Sequence, residues 1–182
     1  ILECTRGSSP RDPEYTRRSE AEKLGQSIEQ CLENDGSVMI PLFAMGKTQE
    51  TITMLYDLQK AKKLRRLSFL IGGLSIKMTK IYDRFSNSVR RNHLGMKLMR
   101  EKGLLSTPNS RGEIPQISKG NVYTLSSGMM TEKTLSNRLA RHFVTNPRNL
   151  IASVGYADPE SPLARVLEAE RGQSVKLDSN HD

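Results

Sequence analysis

From Val38 onwards, short apolar runs of strand length alternate with longer amphipathic stretches of helix length, and no other feature constrains the fold as strongly. Residues 37–43 form the first run, with Pro41 towards its end, where a missing amide is tolerated. The spacing of Ile52, Leu55 and Leu58 predicts a helix over 48–62. A second apolar run over 66–72 is closed by Gly72-Gly73. After it, Ile76, Met78, Ile81, Tyr82 and Phe85 predict a helix with a broad buried face. Residues 86–120 are less periodic, and Pro108, Gly112, Pro115 and Gly120 predict a short helix over 94–102 followed by a long surface excursion.

Order resumes with a predicted strand over 121–125, a glycine turn at Ser126-Ser127-Gly128 and a helix over 131–144. A strand over 149–155, a short helix over 162–168 and a last short strand over 174–177 complete the pattern. Upstream, Leu24, Ile28, Cys31 and Leu32 share one face of a helix over 14–34, with Gly36 at its stop. Strands alternating with helices require an α/β domain of three layers, a mostly parallel central sheet with helices on both faces.

The chain of 182 residues suffices for one such domain. Its 28 Lys and Arg against 20 Asp and Glu leave +8, an excess that favours a polyanionic partner such as nucleic acid, although a merely solvated surface carries the same sign. Cys4 and Cys31, the only cysteines, form no CxxC pair and have no His at metal-ligand spacing, so a reduced, cytoplasmic setting is expected. The longest apolar stretches are too short to span a bilayer, so no membrane partner is expected. The chain opens on Ile1-Leu2-Glu3 without an initiating Met and is expected to be cut from something longer.

Met45-Gly46-Lys47-Thr48 has the ending of a phosphate-binding P-loop, but Pro41 stands where the first glycine is needed and offers neither the flexibility nor the amide. Read at full length, residues 38–50 resemble instead the β-CASP motif, in which an apolar strand and Pro-x-Phe-Ala precede Gly-Arg-x-Gln-Glu and a helix. Ile1-Leu2-Glu3-Cys4-Thr5-Arg6-Gly7 resembles that family's opening motif. Leu125-Ser126-Ser127-Gly128-Met129-Met130 resembles its Ser-Ser/Pro-Gly-Met turn, and residues 149–156 its Asn-x-Ile-x-x-x-Gly-Tyr strand. Four motifs in order cover nearly the whole chain.

The resemblance implies a Rossmann-like β-CASP domain, spanning residues 1–182, inserted in a metallo-β-lactamase fold and gripping RNA across the cleft between the two halves. It implies two zinc ions in the full-length parent and none in this fragment, because the His-x-His-x-Asp-His signature is absent. Hydrolysis of RNA by a metal-bound hydroxide is the implied reaction. Glu3 resembles the family carboxylate that orients a histidine near the scissile phosphate, a catalytic role whose alternative is an ordinary strand-end acid. Arg6, Lys47, Ser126, Ser127 and Gly128 are the candidate nucleic-acid contacts. For Ser126-Ser127-Gly128 the alternative is a plain turn; for Lys47 and Arg6 it is a solvated side chain. Gln49 and Glu50 are read as structural groups at a helix start. Expected partners are RNA or single-stranded nucleic acid, the metallo-β-lactamase half, and a possible second copy of the chain. The rival reading is a stand-alone basic module that binds single-stranded nucleic acid or a protein and catalyses nothing.

Overall fold

Residues 12–108 and 117–178 are described by a computed structural model of the chain. Five strands form one sheet: β1 (Val38–Pro41), β2 (Phe69–Gly72), β3 (Leu105–Ser106), β4 (Val122–Leu125) and β5 (Leu150–Ile151). Their spatial order is β3-β2-β4-β1-β5 and every pairing is parallel. Parallel neighbours cannot be joined by tight hairpins, so helices supply the crossovers. α2 (Lys47–Lys60) carries β1 to β2, α3 (Leu74–Arg84) follows β2, and α4 (Leu135–Val144) carries β4 to β5. α1 (Arg17–Glu33) precedes the sheet and α5 (Pro162–Glu168) follows it. The expected three-layer α/β domain with a parallel sheet is therefore what forms.

Alternation along the strands builds two cores. Val38, Ile40, Phe69, Ile71 and Val122 meet Ile28 and Leu32 of α1 and Ile52, Leu55 and Leu58 of α2. On the other face Met39, Tyr123 and Leu125 meet Leu139, Ala140 and Phe143 of α4 and Leu163 of α5. The Tyr123 and Phe143 rings pack edge to face, with centroids 5.7 Å apart. β1 and β4 are buried along their whole length, as their unbroken apolar runs predict for central strands.

Helix starts follow capping chemistry. Thr16 Oγ1 accepts from the Ser19 amide at 3.0 Å, and Ser19 Oγ accepts from the Thr16 amide at 3.0 Å. This capping box starts α1 three residues after the expected position. Ser161 caps α5 by accepting from the Ala164 amide, with Pro162 at the first helical position.

Several expectations are corrected. α3 buries its predicted apolar stripe only in part: Ser75, Thr79 and Asp83 are buried, Ile76, Met78 and Tyr82 are half-buried, and Ile81 and Phe85 are 44% and 51% exposed. Hydrogen bonding decides its orientation, because Thr48 and Gln49 supply partners for Ser75 and Thr79, and Asp83 accepts from the amides of Leu98 and Met99. Residues 94–102 hold only a 3-10 turn at Leu98–Arg100, closed on that same Asp83 carboxylate, and the short strand β3 after it was not expected. The helix over 131–144 begins only at Leu135, since Met130 and Lys133 take left-handed backbone angles that a helix cannot contain. The strand over 174–177 does not form. Leu177 instead packs against α4, and its carbonyl accepts from Asn137 Nδ2 at 3.0 Å.

β5 is shorter than expected for a physical reason. Ser37 and Met39 present their carbonyls to β5, accepting from the amides of Leu150 and Ala152 at 2.9 Å each. Pro41, next on that side, has no N–H to donate, so the ladder ends there.

Candidate nucleic-acid interface

β1 and β4 are neighbours at the centre of the sheet, yet the chain leaves them in opposite directions. α2 runs across one face to β2, and α4 runs across the other to β5. Such a reversal opens a crevice at the carboxyl ends of the two strands, where the amino ends of the crossover helices also gather and bring partial positive charge. The loops filling this edge are Leu42 to Gly46 after β1 and Ser126 to Thr134 after β4.

These two loops touch. A Cβ added at Gly128 would lie 2.8 Å from Phe43 N, 2.9 Å from Phe43 Cδ2 and 3.1 Å from the Leu42 carbonyl carbon. Glycine is required by this close approach of backbone to backbone rather than by a left-handed angle. Gly73, at the start of α3, has φ +68° and closes against Ser126, whose Oγ would lie 2.6 Å from an added Cβ. Two motif loops and the turn before α3 thus converge at one edge.

Around Ser126-Ser127-Gly128 the hydrogen bonds divide the residues by role. The Ser127 carbonyl accepts from Ser136 Oγ at 2.7 Å and Ser127 Oγ accepts from the Thr131 amide at 2.9 Å, so both hold the turn. The Ser126 hydroxyl and the amides of Ser127 and Gly128 make no hydrogen bond to other described residues. Those groups form a small set of donors at an edge where helix amino ends converge, an arrangement suited to anionic oxygen. Ser127 contributes its amide there, while its side chain is structural.

On the β1 side, Gln49 builds the loop. Its side chain accepts from the Gly46 amide at 2.8 Å and donates to the Ala44 carbonyl at 3.1 Å and Thr79 Oγ1 at 2.8 Å. Thr48 Oγ1 donates to the Phe43 carbonyl at 2.8 Å. The structural reading of Gln49 holds, and Thr48 shares that work.

Lys47 is a partnered cation. Its Nζ lies 3.1 Å from Glu50 Oε2, and Glu50 Oε1 lies 2.5 Å from Arg17 Nη1. Partial burial pushes the Glu50 carboxyl up, but the hydrogen bond and charge of Lys47, with Arg17 beside it, leave it below its usual range. Glu50 therefore stays ionised and competes with any phosphate for Lys47. The three residues line a cleft of about 890 Å³ with Tyr15 and Tyr156. Arg17 belongs to no motif and was missed by sequence reasoning. Tyr156 closes the 149–156 motif and is 61% exposed, the one signal that could have marked it.

Glu3 and Arg6 lie outside the described residues. Among the described residues, no group of three or more His, Cys, Asp or Glu is arranged to hold a metal ion. The described residues by themselves supply no ligand set for a metal centre. No described helix is long and apolar enough to cross a membrane.

The convergence of these loops on one sheet edge is matched by relationship. The chain belongs to the Beta-Casp domain family, which matches residues 48–166. It is 29% identical over 175 residues to an RNase J-like protein of Methanocaldococcus jannaschii, an alignment covering 92% of this chain and 39% of that protein. It is 24% identical over 188 residues to cleavage and polyadenylation specificity factor subunit 3 of Dictyostelium discoideum, covering 98% of this chain and 23% of that one. Integrator complex subunit 11 of Gallus gallus is 21% identical over 175 residues, covering 94% of this chain and 28% of its own length. The chain thus spans about two-fifths or less of the length of these relatives.

Proposed function

We propose that the chain is the substrate-side domain of a zinc-dependent ribonuclease of the metallo-β-lactamase fold, and that it receives the RNA backbone at the carboxyl edge of β1 and β4. One observation carries this reading: the Leu42-Phe43 backbone and the Ser126-Ser127-Gly128 turn meet at Gly128, leaving the Ser126 hydroxyl and two amides as donors at the switch between crossovers. Backbone amides and a hydroxyl suit phosphate oxygens and read no base, which fits a cap that grips RNA independently of sequence. The names of the relatives, an RNase J-like protein and a subunit of a cleavage and polyadenylation specificity factor, support RNA as the polymer.

In this reading the described residues position substrate and break no bond. A metal centre in such a nuclease would be held outside the described residues, and would supply an activated water and neutralise developing charge. Lys47, with Arg17 across Glu50, borders the track and exchanges its carboxylate for a phosphate when RNA arrives. Glu3 is assigned the orienting carboxylate, and Arg6 a phosphate contact.

The test is a titration of single-stranded RNA at rising salt. Each phosphate neutralised on a single strand adds about −0.7 to the slope of log K against log salt. Lys47→Ala is expected to weaken binding and make the slope shallower by about 0.7, the share of one phosphate. In the complete nuclease, Glu3→Gln is expected to slow single-turnover cleavage with RNA affinity unchanged. Absence of binding at low salt, or a slope that Lys47→Ala leaves unaltered, defeats the assignment of this edge as the RNA track.

A further inference from the structure

At the opposite, amino-terminal end of the sheet, the chain leaving α2 forms a loop rich in cations. Lys60, Lys62, Lys63, Arg65 and Arg66 fall within seven consecutive residues before β2, and Lys102 joins them from the turn before β3. All of these except Lys63 border, with Tyr56, Gln59, Glu29 and Glu101, a groove of about 1010 Å³. Most basic side chains along the adjoining seam of α1 and α2 are neutralised by glutamates: Arg17 by Glu50, Lys63 by Glu22, Arg65 by Glu29. Within the groove the pattern breaks. Lys62, Arg66 and Lys102 are exposed and make no side-chain hydrogen bond or ion pair among the described residues.

The loop that carries them is held rigidly. Gln59 Nε2 donates to the carbonyls of Arg65 at 3.2 Å and Leu67 at 2.9 Å, and the Lys63 amide donates to the Leu58 carbonyl at 2.8 Å. The Glu29 carboxylate accepts from both the backbone amide and the Nε of Arg65. Lys60 lies over the Tyr56 ring, 5.1 Å from its centroid, and the Tyr56 hydroxyl donates to Glu101 at 3.2 Å. Both carboxylates of the groove are thereby engaged with its own wall, so the remaining charge facing solvent is positive. Ordering a flexible basic loop costs conformational entropy on binding, and here the backbone is already tied.

We propose that this groove is a second RNA-backbone site, remote from the carboxyl edge, which holds the flanking part of a long single strand through Lys62, Arg66 and Lys102. The choice of RNA rests on the function proposed above. The lining favours a phosphodiester chain over an acidic protein segment. Protein partners gain affinity from apolar anchors, and of the three leucines beneath this groove Leu64 and Leu104 are only 3% and 2% exposed and Leu67 is half-buried, all packed into the core. Phosphates need only fixed positive charge. α2 separates the two sites: Lys47 begins it and Lys60 ends it, about 20 Å apart at the helical rise per residue. A short oligonucleotide held at the carboxyl edge leaves the groove empty, whereas a long one reaches both.

The experiment compares binding of a short and a long single-stranded oligoribonucleotide to the chain, to the triple variant Lys62→Glu, Arg66→Glu, Lys102→Glu, and to Lys47→Ala. The triple variant alters exposed, unpartnered side chains, and its melting curve checks that the fold is kept. Expected is at least a tenfold loss of affinity for the long RNA and a salt slope shallower by about 2, three phosphates at about 0.7 each, with short-RNA affinity reduced far less. Equal losses on both lengths, or none on the long one, overturn the groove as a flanking site. The two readings fail separately. If Lys47→Ala weakens binding while the triple variant does not, the groove assignment falls and the carboxyl edge stands; the converse result removes the carboxyl edge and keeps the groove. Poly-glutamate serves as the rival ligand. Binding of poly-glutamate that the triple variant abolishes, with no effect of that variant on long RNA, reassigns the groove to an acidic protein and ends the RNA proposal.

Discussion

Gly128→Ala tests the meeting of the two motif loops with a single methyl group. The new Cβ would stand 2.8 Å from Phe43 N, 2.9 Å from Phe43 Cδ2 and 3.1 Å from the Leu42 carbonyl carbon. The ring of Phe43 is 42% exposed and can turn away. The backbone atoms cannot retreat as easily, because the Leu42 amide is bonded to the Leu125 carbonyl at 2.8 Å and the Phe43 carbonyl accepts from Thr48 Oγ1 at 2.8 Å. Forcing a methyl into such a contact costs about 1–3 kcal/mol. For a domain of this size each kcal/mol lowers Tm by about 2–4 °C, so a fall of about 2–12 °C is expected. RNA affinity should fall as well, beyond any loss due to unfolding, because the loops separate and the donors at Ser126, Ser127 and Gly128 lose their alignment. Gly155→Ala is the control, since nothing lies within 4 Å of its Cβ and its backbone angle is ordinary. That variant should be unchanged or more stable by about 0.4–1 kcal/mol. If Gly128→Ala melts and binds RNA as the parent does, the two loops are not in contact in solution and the donor edge derived from that contact is refuted.

Asp83→Asn is expected to destabilise by about 1–3 kcal/mol in urea unfolding, because both carboxylate oxygens accept amides of the 3-10 turn and an Asn would set an N–H against one of them. An unchanged midpoint would show that this buried carboxylate is dispensable to α3. His93 Nε2 lies 2.6 Å from Asp57 Oδ1, and that hydrogen bond raises the His93 pKa above its ordinary value against a smaller opposing effect of burial. The folded state therefore holds the proton more tightly, so the pair's contribution is fully present below the unfolded value of about 6.5 and is lost as pH rises through the raised folded value. Urea stability measured from pH 5 to 9 should show this decline, and Asp57→Asn should flatten it; an identical profile in the variant would remove the pair from the account.

The order of elements was legible in the sequence because it depends on local periodicity. Strand-length apolar runs at Val38 and Val122 report burial on both faces, and the spacing of Ile52, Leu55 and Leu58 reports a helix packed on one side. Pro41 at the end of its run and Gly72-Gly73 after theirs mark strand ends in any parallel arrangement. The motif residues of the candidate site were also visible, but as separate segments.

What brought them together was tertiary. Strand order placed β4 beside β1, and only that order sets Gly128 against Phe43 and Ser126 against Gly73. The buried face of α3 was settled the same way: its apolar stripe predicted one orientation, and hydrogen bonds that join Ser75, Thr79 and Asp83 to Thr48, Gln49 and the 3-10 turn imposed another. Lys47 read in one dimension as a candidate phosphate contact or a solvated lysine, and the fold pairs it with Glu50, itself shared with Arg17 of α1. Periodicity reports how much of a segment is buried, since burial repeats with the turn of a helix or the pleat of a strand. It carries no information on which distant polar group waits at the buried position, and in this protein those groups decided both the orientation of α3 and the geometry of the site.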